Sequence, residues 1–288
     1  MRRLSFSRRQ LFIGILMLIS GIAIMTASCR MEQPENGKIG VVVTILPLAD
    51  FVQHIGGDEI SVTVMVSPGA SPHTYEPSPS QMVQVQNATV YVKAGSGVEF
   101  ELTWMDKILK QNPDLQVIDC SSGITIKNGD PHIWNSPVNA MTIAESIGQG
   151  LADIDADNAD LYLENMQRYI ESLKELDGDI HQKIDSFTNL AFLIYHPAFA
   201  YLAGEYGMDQ IAIEHGGKEP TPKVIQESIE LAGRYNLQYV FAAPQFSTVH
   251  AESIAKAIDG QVELIDPLPE MYIENMDNVT DALAREFE

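Results

Sequence analysis

The chain has 288 residues and only two cysteines, Cys29 and Cys120. Two cysteines cannot build a cysteine-ligated zinc module, and if Cys29 is acylated no intramolecular disulfide is left. Basic residues are scarce as well: 18 Lys and Arg stand against 39 Asp and Glu, for a net charge of −21. Such a surface repels nucleic acid, and no basic patch argues otherwise. It attracts cations, but a diffuse field selects none of them. A His-Glu-x-x-His pair is missing, which removes the helix-borne motif of many zinc hydrolases. Long apolar runs are missing too, apart from Leu11 to Met25, which Gly14, Ser20 and Gly21 interrupt and which is short for a membrane span.

What is present begins at the N-terminus. Arg2, Arg3, Arg8 and Arg9 precede that apolar run, and Thr26, Ala27, Ser28 and Cys29 follow it. A basic head, a short apolar middle and small residues describe an export signal over residues 1–28. Cys29 is then the acylated first residue of a lipoprotein, although Thr26 stands where leucine is usual. An uncleaved anchor helix is the competing reading. Ser7-Arg8-Arg9-Gln10-Leu11-Phe12 also resembles a twin-arginine export motif. Without residues 1–28 the remaining 14 basic and 39 acidic residues give a net charge of −25. Residues 29–38 read as a polar tether holding the domain outside the cytoplasm.

The remainder, 45% hydrophobic and 20% charged over the whole chain, has globular composition and a repeated order. Ile39 to Leu46 reads as a buried strand. Pro47 then opens a helix that Gly57 ends. A strand from Ile60 to Val66, a proline-rich loop, a helix near Gln81 to Asn87 and a strand from Thr89 to Lys93 follow, with Leu115 to Asp119 as a fourth strand. At an offset of about 150 the same order returns. It runs from a strand Ala191 to Tyr195 and a helix from Pro197 to Gly207, through a strand Gln210 to Glu214 and a loop with Pro220 and Pro222. A helix Val224 to Tyr235 and a strand Gln238 to Ala242 complete it, and Gln261 to Ile265 reads as a further strand. Strands alternating with helices predict two parallel-sheet α/β lobes, at 39–150 and 189–288. Between them Leu161, Met166, Tyr169, Leu173, Leu176 and Ile180 recur at helical spacing. One long amphipathic helix is expected over Asp155 to Phe187, within a linking segment 151–188.

The chemistry lies in the loops that leave the strands. His73 follows the second strand, His132 the fourth, His196 caps Ala191–Tyr195 and Asp266 caps Gln261–Ile265. In open α/β sheets that edge binds ligands. His73 and His132 belong to one lobe, His196 and Asp266 to the other, so all four are placed to meet in the cleft between lobes. Three neutral imidazoles and a carboxylate complete a four-coordinate shell for zinc. Calcium and magnesium want oxygen instead. Pro72, Pro131, Pro197 and Pro267 stiffen the backbone beside all four.

These stretches also carry a resemblance. His73-Thr74-Tyr75-Glu76-Pro77-Ser78-Pro79-Ser80, Asp130-Pro131-His132-Ile133-Trp134, His196-Pro197-Ala198-Phe199 with Tyr206-Gly207, and Asp266-Pro267-Leu268 resemble the ordered metal motifs of one family. It is the cluster A-I metal-binding receptors of ABC importers, the zinc- and manganese-binding lipoproteins. Glu219-Pro220-Thr221-Pro222 and Pro244-Gln245-Phe246-Ser247 match as well, so the resemblance covers Val41 to the C-terminus. It implies two lobes bridged by one helix, a transported cation held by His73, His132, His196 and Asp266, and delivery to a permease and its ATPase. With the lipid site at Cys29 and four protein ligands leaving little room for a reactive water, the expectation is a monomer anchored to a membrane through lipid, with no enzymatic activity. The His- and acid-rich loop of many zinc members is absent, since only Ile124 to Gly129 precedes the second motif. Manganese members usually carry glutamate where His196 stands, which favours zinc, with manganese or iron as alternatives. A surface adhesin role, sometimes given to this family, is untouched by any feature of the sequence.

Other residues read more plainly. Glu76 is expected in a salt bridge or loop hydrogen bond, and His215, beside Gly216 and Gly217, as a neighbour of the cleft. His54 and His181 fall on solvated helix faces and His250 in the first turn of a helix. Trp134 and Tyr195 read as cleft packing, and Cys120 as a buried small apolar residue. The rival functions are a siderophore- or cobalamin-type receptor, which needs a wider aromatic or basic cleft, and a zinc hydrolase, which needs an open coordination position.

Overall fold

The computed structural model describes residues 37–214 and 218–288. The export signal, Cys29, nearly all of the tether and His215 lie outside the described residues. Within them, two four-stranded sheets, each wholly parallel, have the same strand order. In the first the order is β2-β1-β3-β4, from β1 (Ile39–Val43), β2 (Ile60–Val64), β3 (Val90–Lys93) and β4 (Gln116–Asp119). In the second it is β6-β5-β7-β8, from β5 (Ala191–Ile194), β6 (Asp209–Ala212), β7 (Tyr239–Ala242) and β8 (Gln261–Leu264). The chain is therefore α/β with two sheets, as the duplicated order predicts.

Helices α1 (Leu46–Gly56), α2 (Pro79–Asn87), α3 (Glu99–Gln111) and α4 (Pro137–Ile154) accompany the first sheet. Helices α6 (Ala200–Glu205), α7 (Pro222–Tyr235), α8 (Val249–Ala257) and α9 (Tyr272–Phe287) accompany the second. The long helix α5 runs from Ala159 to Ile184, about 39 Å at the standard rise. It is shorter at its start than expected. Asp155 takes a non-helical conformation and accepts hydrogen bonds from Asn158 and from the Tyr162 hydroxyl. That closes a single 3-10 turn at 156–158 and separates α5 from α4. Strand ends were also overrun by one to three residues at 44–46, 65–66, 195, 213–214 and 265, because the apolar run continues into buried loops such as Ile45, Met65 and Ile213.

Helix α4 has no counterpart in the sequence reading, yet it packs closely against α5. Gly148 permits the approach: a β-carbon there would fall 2.7 Å from Met166 Cβ. The two lobes do not keep separate cores. One apolar cluster runs from Val41, Phe51 and Ile147 through Leu173 and Leu176 to Phe199, Tyr272 and Leu283. A second, smaller cluster fills the other face of the second sheet around Leu193, Val240 and Ile254.

The long helix is tied at both ends. Tyr169 Oη donates to Asp50 of α1 at 2.9 Å, and Asn165 Nδ2 donates to the Ile55 carbonyl at 2.8 Å. Tyr206 Oη donates to Asp177 at 2.6 Å, and Lys183 pairs with Asp277 and Asp281 of α9. It is not the sole crossing, however. Residues 127–136 reach directly into the second lobe: Trp134 Nε1 donates to the Pro267 carbonyl at 2.7 Å, Asn135 Nδ2 to that of Ala198 at 3.0 Å, and Ser136 Oγ to Glu205.

Candidate metal centre

Every loop that builds the site leaves the carboxyl edge of a strand. His73 follows β2 on a loop braced at its base. Ser78 caps α2 in a capping box with Gln81, and Pro79 stands at the first helical position. The Gln81 amide donates to the carbonyls of Val64 and Met65 and accepts from the Tyr75 hydroxyl. Asp130-Pro131-His132 follows β4. Its Asp130 carboxylate accepts from the His132 backbone N–H at 3.0 Å, while Ser96 Oγ donates to the Pro131 carbonyl. His196 lies two residues beyond β5, with Glu214 beyond the neighbouring β6.

These loops bring three imidazoles to one cavity. Its lining includes His73, His132, His196, Glu99, Trp134, Gln245 and Phe246. His132 and His196 are 9% and 6% exposed, whereas the His73 side chain is 28% exposed. Ring centroids lie 5.1 Å apart for His132 and His196, and 5.3 Å apart for His73 and His196. The Nε2 atoms of His132 and His196 face one another at 3.2 Å. Two nitrogens about 2.0–2.1 Å from a tetrahedral zinc stand about 3.3 Å apart, so this spacing is that of two ligands on one ion. The Phe246 ring, 4.6 Å from that of His196, forms an apolar wall.

Each imidazole has a carboxylate behind it. His73 Nδ1 lies 2.9 Å from Glu99, His132 Nδ1 2.7 Å from Asp130, and His196 Nδ1 2.5 Å from Glu214. A carboxylate accepts only, so the ring proton sits on Nδ1 and Nε2 keeps its lone pair for a cation. The same contact fixes the ring plane and raises the basicity of the ligand. Burial pushes the His132 pKa below its ordinary value, against the opposing pull of Asp130, which keeps that ring neutral. The sequence alone does not point to these three carboxylates: Asp130 stands inside its motif without a role, Glu214 reads as a strand end, and Glu99 is 26 residues from His73.

Asp266 is placed differently. It does not line the cavity, although Gln245, Pro267 and Leu268 do. Its Oδ1 accepts from Gln245 Nε2 at 2.7 Å and from the Leu268 N–H at 2.8 Å. Among the described residues no three His, Cys, Asp or Glu side chains yet surround a single point. Two histidine nitrogens face each other, while the Asp266 carboxylate is held by Gln245. Glu76 is exposed and forms no salt bridge or hydrogen bond among the described residues, contrary to expectation. Cys120 is fully buried, and burial raises its thiol well above the ordinary range, so it offers no thiolate.

A family model described as ZnuA, the periplasmic zinc-uptake complex component A, matches residues 41–286. The chain belongs to that family. A solved structure described as the crystal structure of ZnuA is 36% identical, with a TM-score of 0.85, covering 87% of this chain and all of that one. The zinc-binding lipoprotein AdcA of Streptococcus pneumoniae is 26% identical over 283 residues, covering 90% of this chain and 56% of AdcA. This chain thus spans about half the length of that curated relative. The manganese-binding lipoprotein MntA of Halalkalibacterium halodurans is 29% identical over 238 residues, 78% of each chain. The zinc-uptake family accordingly has two lobes with helices around parallel sheets and a long connecting helix, and relatives named for zinc and for manganese stand side by side.

Proposed function

We propose that this chain is an extracytoplasmic receptor that captures zinc between its lobes, with His73, His132 and His196 as nitrogen ligands and the Asp266 carboxylate serving the fourth side of the site. It hands the cation to the permease and ATPase of an ABC importer, and acylated Cys29 anchors it to the membrane. It acts as a monomer and performs no catalysis. The observation that carries this reading is the pair of Nε2 atoms 3.2 Å apart, each on a ring whose Nδ1 is already engaged by a carboxylate. The cavity, about 30 Å³, is of the order of one water molecule. That suits a bare ion and leaves no room for a siderophore or a corrin. Imidazole nitrogens favour zinc over manganese, whose harder character asks for more oxygen. Manganese and iron are the alternatives within the same family.

Elemental analysis of the purified full chain, followed by competition titration with zinc, manganese and iron, tests the proposal. Zinc should be found at one ion per chain and should outcompete manganese. His196→Ala should weaken zinc binding at least about tenfold, in the range of a lost metal-site residue. Parent-like affinity in that variant would overturn the site.

A further inference from the structure

The three imidazoles that line the cavity share one arrangement, and Gln245 repeats it. His73 is backed by Glu99, His132 by Asp130 and His196 by Glu214. Gln245 is backed by Asp266, to which its Nε2 donates at 2.7 Å. The direction of that bond is fixed by chemistry. An ionised carboxylate accepts and cannot donate, so the amide must turn its NH2 toward Asp266 and its carbonyl away from it. Gln245 lines the histidine cavity and Asp266 does not. The outward end of the amide is Oε1, a buried oxygen with no hydrogen-bond partner among the described residues. A buried acceptor left unpaired is destabilising, and such a group calls for an explanation. A cation held by the three histidines supplies one.

We infer that Gln245 Oε1 is the oxygen donor that completes the site, and that Asp266 acts through it as a positioning residue. This inference rests on the capture of a cation by His73, His132 and His196. The first shell then consists of three imidazoles and one amide, all neutral, with four carboxylates one bond further out. The acids still draw the cation in by charge. None of them has to be pulled off the metal when it leaves, which suits a carrier that must give up its cargo.

The test is a double-mutant cycle on the purified full chain, read by zinc competition titration, with thermal unfolding of the metal-free proteins as the folding control. Gln245→Met keeps the volume and removes the oxygen. Asp266→Asn keeps an acceptor for the Gln245 amide. If Asp266 acts through Gln245, Gln245→Met weakens zinc about tenfold and Asp266→Asn by no more than about threefold. The double variant is then no weaker than Gln245→Met alone, because Asp266 has lost the group it positions. Gln245→Ala should repeat the loss if the methionine variant folds poorly. Cobalt(II) reports the shell directly: its visible absorption band should shift in Gln245→Met and stay in place in Asp266→Asn. A larger loss in Asp266→Asn than in Gln245→Met, or additive losses, would make Asp266 the direct ligand and overturn the inference. Undiminished zinc binding in His196→Ala would instead remove the histidine site on which it rests.

Discussion

His132 and His196 are 64 residues apart in the chain and come from different lobes, yet their Nε2 atoms meet at 3.2 Å in a setting almost closed to water. Two imidazole nitrogens bearing lone pairs repel at that distance unless a proton or a cation lies between them. Loops of two lobes hold them there through Asp130 and Glu214, and Trp134 pins the first loop to the Pro267 carbonyl of the second lobe.

The His196–Glu214 contact should therefore govern affinity. Glu214→Ala frees the ring to rotate and to take the wrong tautomer, and should weaken zinc about 10–100-fold. Glu214→Gln retains an acceptor and should recover most of that loss. Competition titration of the two variants checks this. Equal affinity in Glu214→Ala and parent would show that packing against Phe246 orients the ring unaided.

Protons compete with the cation. Neutral imidazoles bind metal and protonated ones do not. Zinc affinity should fall as the pH is lowered, with protons taken up as the ion is released. His132 adds a stability effect of definite sign. Its folded pKa is depressed by burial, so below pH 6.5 the unfolded chain takes up a proton that the folded chain refuses. The stability due to this group is complete above about 6.5 and is lost as the pH falls. Thermal unfolding of the metal-free chain should show a weaker pH slope in His132→Gln than in parent. An identical slope would place the effect elsewhere.

Selectivity should follow the donor set. His196→Glu adds a hard oxygen and should narrow the preference for zinc over manganese. The new carboxylate would face Glu214, which lies against His196 Nδ1. The effect should hence be clearer when Glu214→Gln is combined with it. A zinc preference as wide as that of the parent in the combined variant would assign selection to cleft shape.

Motion between lobes should be small. One core crosses the lobes, α5 carries no proline, and residues 134–136 bond directly to the second lobe. X-ray scattering should give nearly the same radius of gyration with and without zinc. Amide exchange should change mainly near residues 68–80, 128–137, 196–200 and 214–222. Large contraction on loading, or exchange changes along α5, would show that the lobes hinge.

Much of this was legible because it repeats locally. Strand, helix and proline loop recur in both lobes, and the histidines stand inside short ordered motifs at strand ends. Helix α4 was within reach of the same rule, since its buried Ala140, Ile143, Ala144, Ile147 and Leu151 recur at helical spacing behind Ser136 and Pro137. What escaped the sequence otherwise depends on contacts between distant segments. The shared core requires Phe51 to meet Tyr272, 4.8 Å apart between rings, which no periodicity reveals. The carboxylates Glu99, Asp130 and Glu214, and the turn of the Gln245 amide toward Asp266, are matters of side-chain rotamer. A linear motif marks where such residues sit and leaves open which atom faces the cavity.

X-ray absorption at the zinc edge of the loaded full chain tests the central claim most directly. The account predicts a shell of four nitrogen and oxygen atoms at about 2.0–2.1 Å. The outer-shell scattering should be that of three imidazoles, and it should be lost when His73, His132 and His196 are all replaced by alanine. A sulfur shell at about 2.3 Å, or an oxygen shell without imidazole scattering, would contradict it.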